Sequence, residues 1–255
     1  MDSTTIVVHK KLKLNKPALV EGLPGIGLVG KLVVDHMVRE MKAVHLATLY
    51  SPHFPHQVIM QPDGTVKMLT NELYVVKAKK QDIMILAGDV QAVTSEAQYE
   101  VTEKVLDYFA SLGGTSIYTL GGYGTGKVSE KPKVFGAVTD KSLIPPLKKA
   151  GVIFGAVQGG IVGAAGMLPG LGTLRGMKGV CLMGETHGQY VDARSAASVI
   201  EVLMKVLGFK VNTAKLKESA KQTAEFMRKT EKEVAKQRAG GGPKPSAEEK
   251  PSYIR

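Results

Sequence analysis

The chain has 255 residues, 44% of them hydrophobic and 29 of them glycine, which suits one large α/β domain with an appendage. Its net charge of +11 is spread in a way that argues against a nucleic-acid binder: residues 213–255 hold 11 Lys/Arg and 6 Asp/Glu, a local +5, and no run interleaves basic and aromatic residues. The single Cys181 excludes an internal disulfide and a thiolate zinc cluster, and no run of about 18 apolar residues is present to cross a membrane.

The first residues, Met1-Asp2-Ser3-Thr4-Thr5, lack the basic start and apolar run of a signal peptide, so a cytoplasmic protein is expected. Ile6-Val7-Val8 reads as a short strand and Pro17-Ala18-Leu19-Val20-Glu21 as a second. A Gly-rich turn from Gly22 to Gly30 then opens a helix running to about Lys42, and residues 44–50 form the next strand. From Gln57 to Lys79 the pattern suits antiparallel strands, with turns at Pro62-Asp63-Gly64 and near Asn71-Glu72. Residues 82–87 are a continuous apolar run, as in a strand buried on both faces, and end in Gly88-Asp89. Thr94 is placed to cap the next helix, whose apolar face carries Val101, Val105, Leu106, Phe109 and Leu112.

Residues 116–120 form a central strand that runs into Gly121-Gly122-Tyr123-Gly124-Thr125-Gly126. A strand at 134–138 and a short helix at 142–150 follow. The segment from Gly159 to Gly176 is so rich in small residues that a helix there can lie close to a neighbouring backbone. Val180 to Gly184 is the last central strand, and Asp192 caps a helix that stops at Gly208. Strands separated by helices predict a largely parallel sheet with helices on both faces.

Three segments are expected: a domain over 1–212, a charged helical extension over 213–239, and a flexible tail over 240–255. In the extension, Leu216, Ala220, Thr223, Met227, Thr230 and Val234 follow a heptad spacing. That seam fits either a partner helix or loose packing on the chain's own domain. Gly and Pro at 240–243 lead to Tyr253-Ile254-Arg255, two apolar residues beside a terminal carboxylate. Such an end is either an anchor for a partner pocket or a frayed terminus.

The strongest formal motif is Gly25-Ile26-Gly27-Leu28-Val29-Gly30, a G-x-G-x-x-G between strand and helix. It lacks the acid about 20 residues on that a dinucleotide ribose needs, which favours tight packing as its purpose. The loop containing Gly124 has no Walker spacing but could cradle an anion. His53 and His56 have ligand-like spacing without a nearby third ligand. Asp89 and Glu185 both follow central strands, either as an acid–base pair at the sheet's carboxyl edge or as turn-forming residues.

Taken together, Gly22-Leu23-Pro24-Gly25-Ile26-Gly27-Leu28-Val29-Gly30, Gly88-Asp89-Val90-Gln91, residues 120–126 and Gly184-Glu185-Thr186-His187-Gly188 resemble the archaeal proteasome-assembly-chaperone family. Its members are relatives of the second subunit of the eukaryotic heterodimeric assembly chaperone. The resemblance implies a three-layer α/β/α sandwich similar to the nucleoside-phosphorylase fold. It also implies self-assembly into a homo-oligomer, a tetramer or pentamer, and a chaperone role without catalysis, cofactor or metal. The implied partners are 20S proteasome α-subunits, whose inter-subunit pockets receive a C-terminal hydrophobic–Tyr–X motif. Here Tyr253 takes the hydrophobic slot, Ile254 the tyrosine slot and Arg255 the terminal carboxylate. Two other readings stay open. One is a scaffold for a chaperone paralogue without proteasome contact, and the other is a small-molecule or nucleotide-binding enzyme using the Gly-rich loops.

Overall fold

The computed structural model describes residues 3–78 and 80–222. In chain order the elements are β1 (Thr5–Val8), β2 (Ala18–Glu21), α1 (Val29–Glu40), β3 (Val44–Tyr50), β4 (Val58–Met60), β5 (Val66–Met68), β6 (Asn71–Val76) and β7 (Ile83–Gly88). Then come α2 (Ser95–Ser111), β8 (Ser116–Gly124), β9 (Val134–Val138), α3 (Ile144–Ala150), β10 (Val152–Ile153), α4 (Ala164–Thr173), β11 (Lys178–Thr186) and α5 (Ala193–Leu207). Residues 214–222 are helical.

Nine strands form one sheet in the order β1-β3-β6-β7-β2-β8-β11-β9-β10, while β4 and β5 stand apart as a two-stranded ribbon. On one face Val29, Val33, Val34 and Met37 of α1 join Leu147 of α3 and Val199, Ile200 and Leu203 of α5 in an apolar core. On the other face Val105, Leu106 and Phe109 of α2 pack with Leu168 of α4. The architecture is therefore the three-layer α/β/α sandwich. Thr94 accepts from the Ala97 amide at 3.2 Å and Asp192 from the Ser195 amide at 3.0 Å, so both expected helix caps form.

The sheet departs from the largely parallel expectation. The pairs β2/β7, β2/β8, β8/β11 and β9/β10 are parallel. The pairs β1/β3, β3/β6, β6/β7 and β9/β11 are antiparallel. No helix intervenes between β3 and β6, between β6 and β7, or between β8 and β9. From β6 to β7 and from β8 to β9 the connection is also shorter than a parallel crossover needs, so the chain reverses direction there. Asn71, expected near a turn, instead begins β6 and is fully buried opposite Gly88.

Within the small-residue segment the helix is confined to α4, and it does approach its neighbours closely. A Cβ added at Gly172 would lie 2.6 Å from Ile117 Cδ1, and one at Gly179 would lie 2.6 Å from Pro169 Cβ. Pro169 sits inside α4 and has no amide hydrogen to give the Ala165 carbonyl. The fully buried Thr119 hydroxyl of β8 fills the vacancy, donating to Ala165 O at 2.6 Å. Leu168, one residue earlier, is buried in the core. Thr119→Val keeps the side-chain shape but leaves that carbonyl without its donor. It is expected to cost about 1–3 kcal/mol, read as a lower urea midpoint with an unchanged slope. An unchanged midpoint would mean the carbonyl is satisfied otherwise.

Candidate functional site

The four motif segments converge at one edge of the sheet, at the carboxyl ends of β2, β7, β8 and β11. In open α/β sheets this edge is where ligands bind. Here the chain itself fills the space between β2, β8 and α1, while a cleft of about 240 Å³ stays beside Gly88 and Asp89, walled by Lys31, Arg39 and Lys67. A Cβ at Gly22 would lie 2.3 Å from the Gly30 carbonyl oxygen, and one at Gly30 only 2.2 Å from the Leu120 carbonyl oxygen. The start of α1 therefore rests on the backbones of β2 and β8, which leaves no room between them for a pyrophosphate.

Gly27 has a φ of 63°, in the left-handed region, and a Cβ there would meet Thr186 Oγ1 at 2.9 Å. Neither Gly25 nor Gly124 is sterically required: their added Cβ atoms would meet nothing closer than 4.0 and 3.8 Å. Asp192 ties this edge together. Its amide donates to Gly27 O at 2.9 Å, and its carboxylate accepts from Thr186 Oγ1 at 2.8 Å while capping α5. Gln91 does the same on the other side, donating to Pro24 O at 2.7 Å and accepting from the Ala164 amide at 2.9 Å. Lys31 reaches Gly88 O at 3.1 Å.

Asp89 and Glu185 do not come together. Leu86, Glu21, Thr119 and Cys181 lie side by side across β7, β2, β8 and β11. Three inter-strand steps thus separate the two acids, about 14 Å at usual strand spacing. Asp89 pairs with Lys67 at 3.3 Å, and Glu185 accepts from the Lys133 amide at 3.1 Å. Both serve as local ties, so the acid–base pair considered from sequence is not assembled. His53 faces Glu100 at 3.6 Å, and among the described residues no group of three His, Cys, Asp or Glu is arranged to hold a metal.

Sequence reasoning passed over Glu21, the most unusual group at this edge. It is fully enclosed, with Oε1 accepting from the Leu23 amide at 2.7 Å and Oε2 without a partner among the described residues. Burial pushes its carboxyl up to about 8, against the pull of backbone donors at Leu23 and Leu120. The signal available was a lone acid ending an apolar run directly before the glycine turn. Burial likewise pushes the Cys181 thiol up to about 11, so it stays protonated and unreactive.

A cleft of about 670 Å³ lies away from all four motifs, between α5, the 130–132 segment and the 214–222 helix. Beside it the helical extension is rooted on the body. His36 Nε2 binds Asn212 O at 2.7 Å, Lys215 pairs with Glu40 at 2.9 Å and Lys217 with Glu201 at 2.8 Å. Leu216 and Ala220, the first two seam positions, are buried in the domain's own core. They are therefore closed to a partner helix, because α1 and α5 already cover them. Thr223, Met227, Thr230 and Val234, and the anchor residues Tyr253, Ile254 and Arg255, lie outside the described residues.

The model of the PAC2 family matches residues 19–231. An uncharacterized protein of Methanocaldococcus jannaschii is 37% identical over 252 residues, spanning 97% of each chain. Pyrococcus furiosus PbaB, an archaeal proteasome activator, shares 41% identity and superposes with a TM-score of 0.87, covering 91% of this chain and 100% of PbaB. Pyrococcus furiosus PbaA, an archaeal homologue of proteasome-assembly chaperone, shares 24% identity with a TM-score of 0.76, covering 94% and 96%.

Folded Glu21 keeps its proton up to about pH 8, whereas an unfolded chain releases it near 4.5. Between those values the folded state binds more proton, so this group makes stability fall as pH rises and then level off above 8. The loss should be on the order of 4 kcal/mol. Glu21→Gln removes that slope, whatever its effect on the absolute value. Urea unfolding of both proteins at pH 5 and 8.5 checks this, and parallel pH profiles would contradict it.

Proposed function

The chain belongs to the PAC2 family, and from that premise we propose that it is a proteasome assembly chaperone or activator-like protein. In this reading it forms a homo-oligomer whose C-terminal tails dock on the α-ring of the 20S proteasome. The observation that carries the proposal is the likeness to PbaB, at 41% identity and over the whole of that chain. The rooted base of the extension supports it. Asn212 Oδ1 accepts from the Ala214 amide at 2.9 Å, and the ion pairs to Glu40 and Glu201 hold the following residues against α1 and α5. Each protomer of an oligomer would then issue its extension from a fixed point. Several weak tails on one body bind one symmetric ring far more tightly than a single tail.

A non-catalytic role is part of this proposal. Supporting it are the glycine contacts that close the sheet edge, the separation of Asp89 from Glu185, and the protonated, enclosed state of Glu21 and Cys181.

At the tail, Tyr253 and Ile254 would enter apolar pockets while the Arg255 carboxylate pairs with a lysine of the α-ring. Deleting residues 253–255 should then weaken capture of α-subunits by at least tenfold, with mass and circular dichroism unchanged. Appending one glycine after Arg255 should also weaken capture, because it moves the carboxylate and leaves every side chain intact. Tyr253→Leu with Ile254→Tyr should tighten it. Equal capture by the full-length, shortened and extended proteins would contradict tail docking.

A further inference from the structure

The cleft at the root of the extension gathers positive charge that the described residues do not offset. At about 670 Å³ it has the size of a small-molecule site. Three elements line it: α5, the 130–132 segment and the 214–222 helix. From them come four cations, Lys131, Arg194, Lys217 and Lys221, against two carboxylates, Glu130 and Glu201.

Glu201 is committed to Lys217 at 2.8 Å. Arg194 donates to the Ser129 carbonyl at 3.3 Å, which orients the guanidinium without neutralising it. Lys131 and Lys221 enter no ion pair among the described residues. Lys217 and Lys221 stand four apart on one face of their helix, a spacing at which like charges repel. The buried Leu216 and Ala220 press that helix onto the body. Packing therefore holds cations from separate elements around one hollow. In a chain already at +11 this is unfavourable, and an anion in the hollow relieves it.

The lining also selects among anions. A guanidinium takes two oxygens of one phosphate side by side, while lysines add point charges at variable reach. Cations spread over three elements suit a ligand whose charge runs along its length, as in a chain of phosphates, better than a single carboxylate. The uncharged part of the lining is Pro132, Ala197, Ser198 and Ala220, with no aromatic ring on which a nucleobase could stack. Recognition therefore ends at the phosphates.

We propose that this cleft binds a linear phosphate chain, either free polyphosphate or the triphosphate of a nucleotide. Bound there, the chain joins Lys131 and Arg194 of the body to Lys217 and Lys221 at the base of the extension, and so stiffens that base. Under the tail-docking reading given above, the ligand regulates capture of the proteasome. The regulatory part rests on that reading, and the binding does not.

The test is calorimetric titration of the full chain with tripolyphosphate, ATP and adenosine at about 0.15 M salt. Tripolyphosphate and ATP should each bind once per chain with micromolar affinity, and the tighter of the two identifies the source of the phosphates. Adenosine should not bind. Failure of tripolyphosphate to bind, or binding of adenosine, would overturn the proposal. Lys131→Glu with Lys221→Glu, both exposed, should weaken tripolyphosphate at least tenfold. Lys10→Glu with Lys11→Glu, exposed before β2, removes the same charge elsewhere and should leave binding within twofold. Equal loss in both variants would mean that overall charge attracts the anion, which also overturns the proposal. Should the cleft variant fail to fold, hydrogen exchange of the wild type decides. Tripolyphosphate should slow the amides of residues 214–222 at least threefold, and unchanged rates there would overturn the site. Capture of α-subunits by the full chain and by the chain ending at residue 252 is measured in parallel. If capture needs the last three residues but tripolyphosphate does not bind, the cleft proposal is wrong and the tail reading stands. If tripolyphosphate binds and capture ignores the tail, the site stands and the tail reading fails.

Discussion

The fold depends on the contact of α1 with the backbones of β2 and β8. At Gly22, Gly30 and Leu120 three main chains meet with no side chain between them, and a single added Cβ would come within 2.3 Å of a carbonyl oxygen. That contact sets how deeply α1 sits on the sheet. The position of α1 in turn places His36 and Glu40, which receive the 212–215 segment. It also holds the Gly27 carbonyl where the Asp192 amide can reach it, which ties β11 and α5 to the same edge. A glycine pattern that a nucleotide-binding fold uses to admit phosphate serves here to bring backbone to backbone.

The groups enclosed at this edge follow from that closure. With the loops folded over it, Glu21 is cut off from water and keeps its proton, and Cys181, two strands away in the same cross-strand row, is held as a thiol. Reactive groups in enzymes are partly exposed and placed to meet a substrate. Glu21 and Cys181 are instead buried in the sheet. The surface features of the body lie elsewhere: the root of the extension on one side of the sheet, and the apolar ribbon near the β3–β6 end.

Much of the architecture was legible in the sequence because local signals carried it. The continuous apolar run of β7, the Thr94 and Asp192 caps and the turn at Pro62-Asp63-Gly64 each depend on a few adjacent residues. Strand direction was not legible. It turns on whether a crossover fits between strands, and the 125–133 loop gave no sign that β9 would reverse. Asn71 read as a turn residue, yet the sheet buries it whole between β3 and β7. Thr119 and Ala165, 46 residues apart, reconcile a helix with its internal proline, and no local pattern announces that bond. At the candidate site the motif glycines were legible, and their use in packing was the favoured reading. The enclosure of Glu21 was not, since its desolvation is assembled from several elements distant in sequence. Leu216 and Ala220 fit a heptad seam equally well whether they face a partner or their own domain, and the structure turns them inward.

The central claim is that the body is a closed platform and that the chain's end makes the contact with the proteasome. Electron cryomicroscopy of the full chain bound to an archaeal 20S particle tests it most directly. The account predicts density for Tyr253, Ile254 and Arg255 inside pockets between adjacent α-subunits, with the glycine loops at 22–30 and 121–126 clear of the ring. Density showing those loops seated on the α-subunits, with the inter-subunit pockets empty, would contradict it.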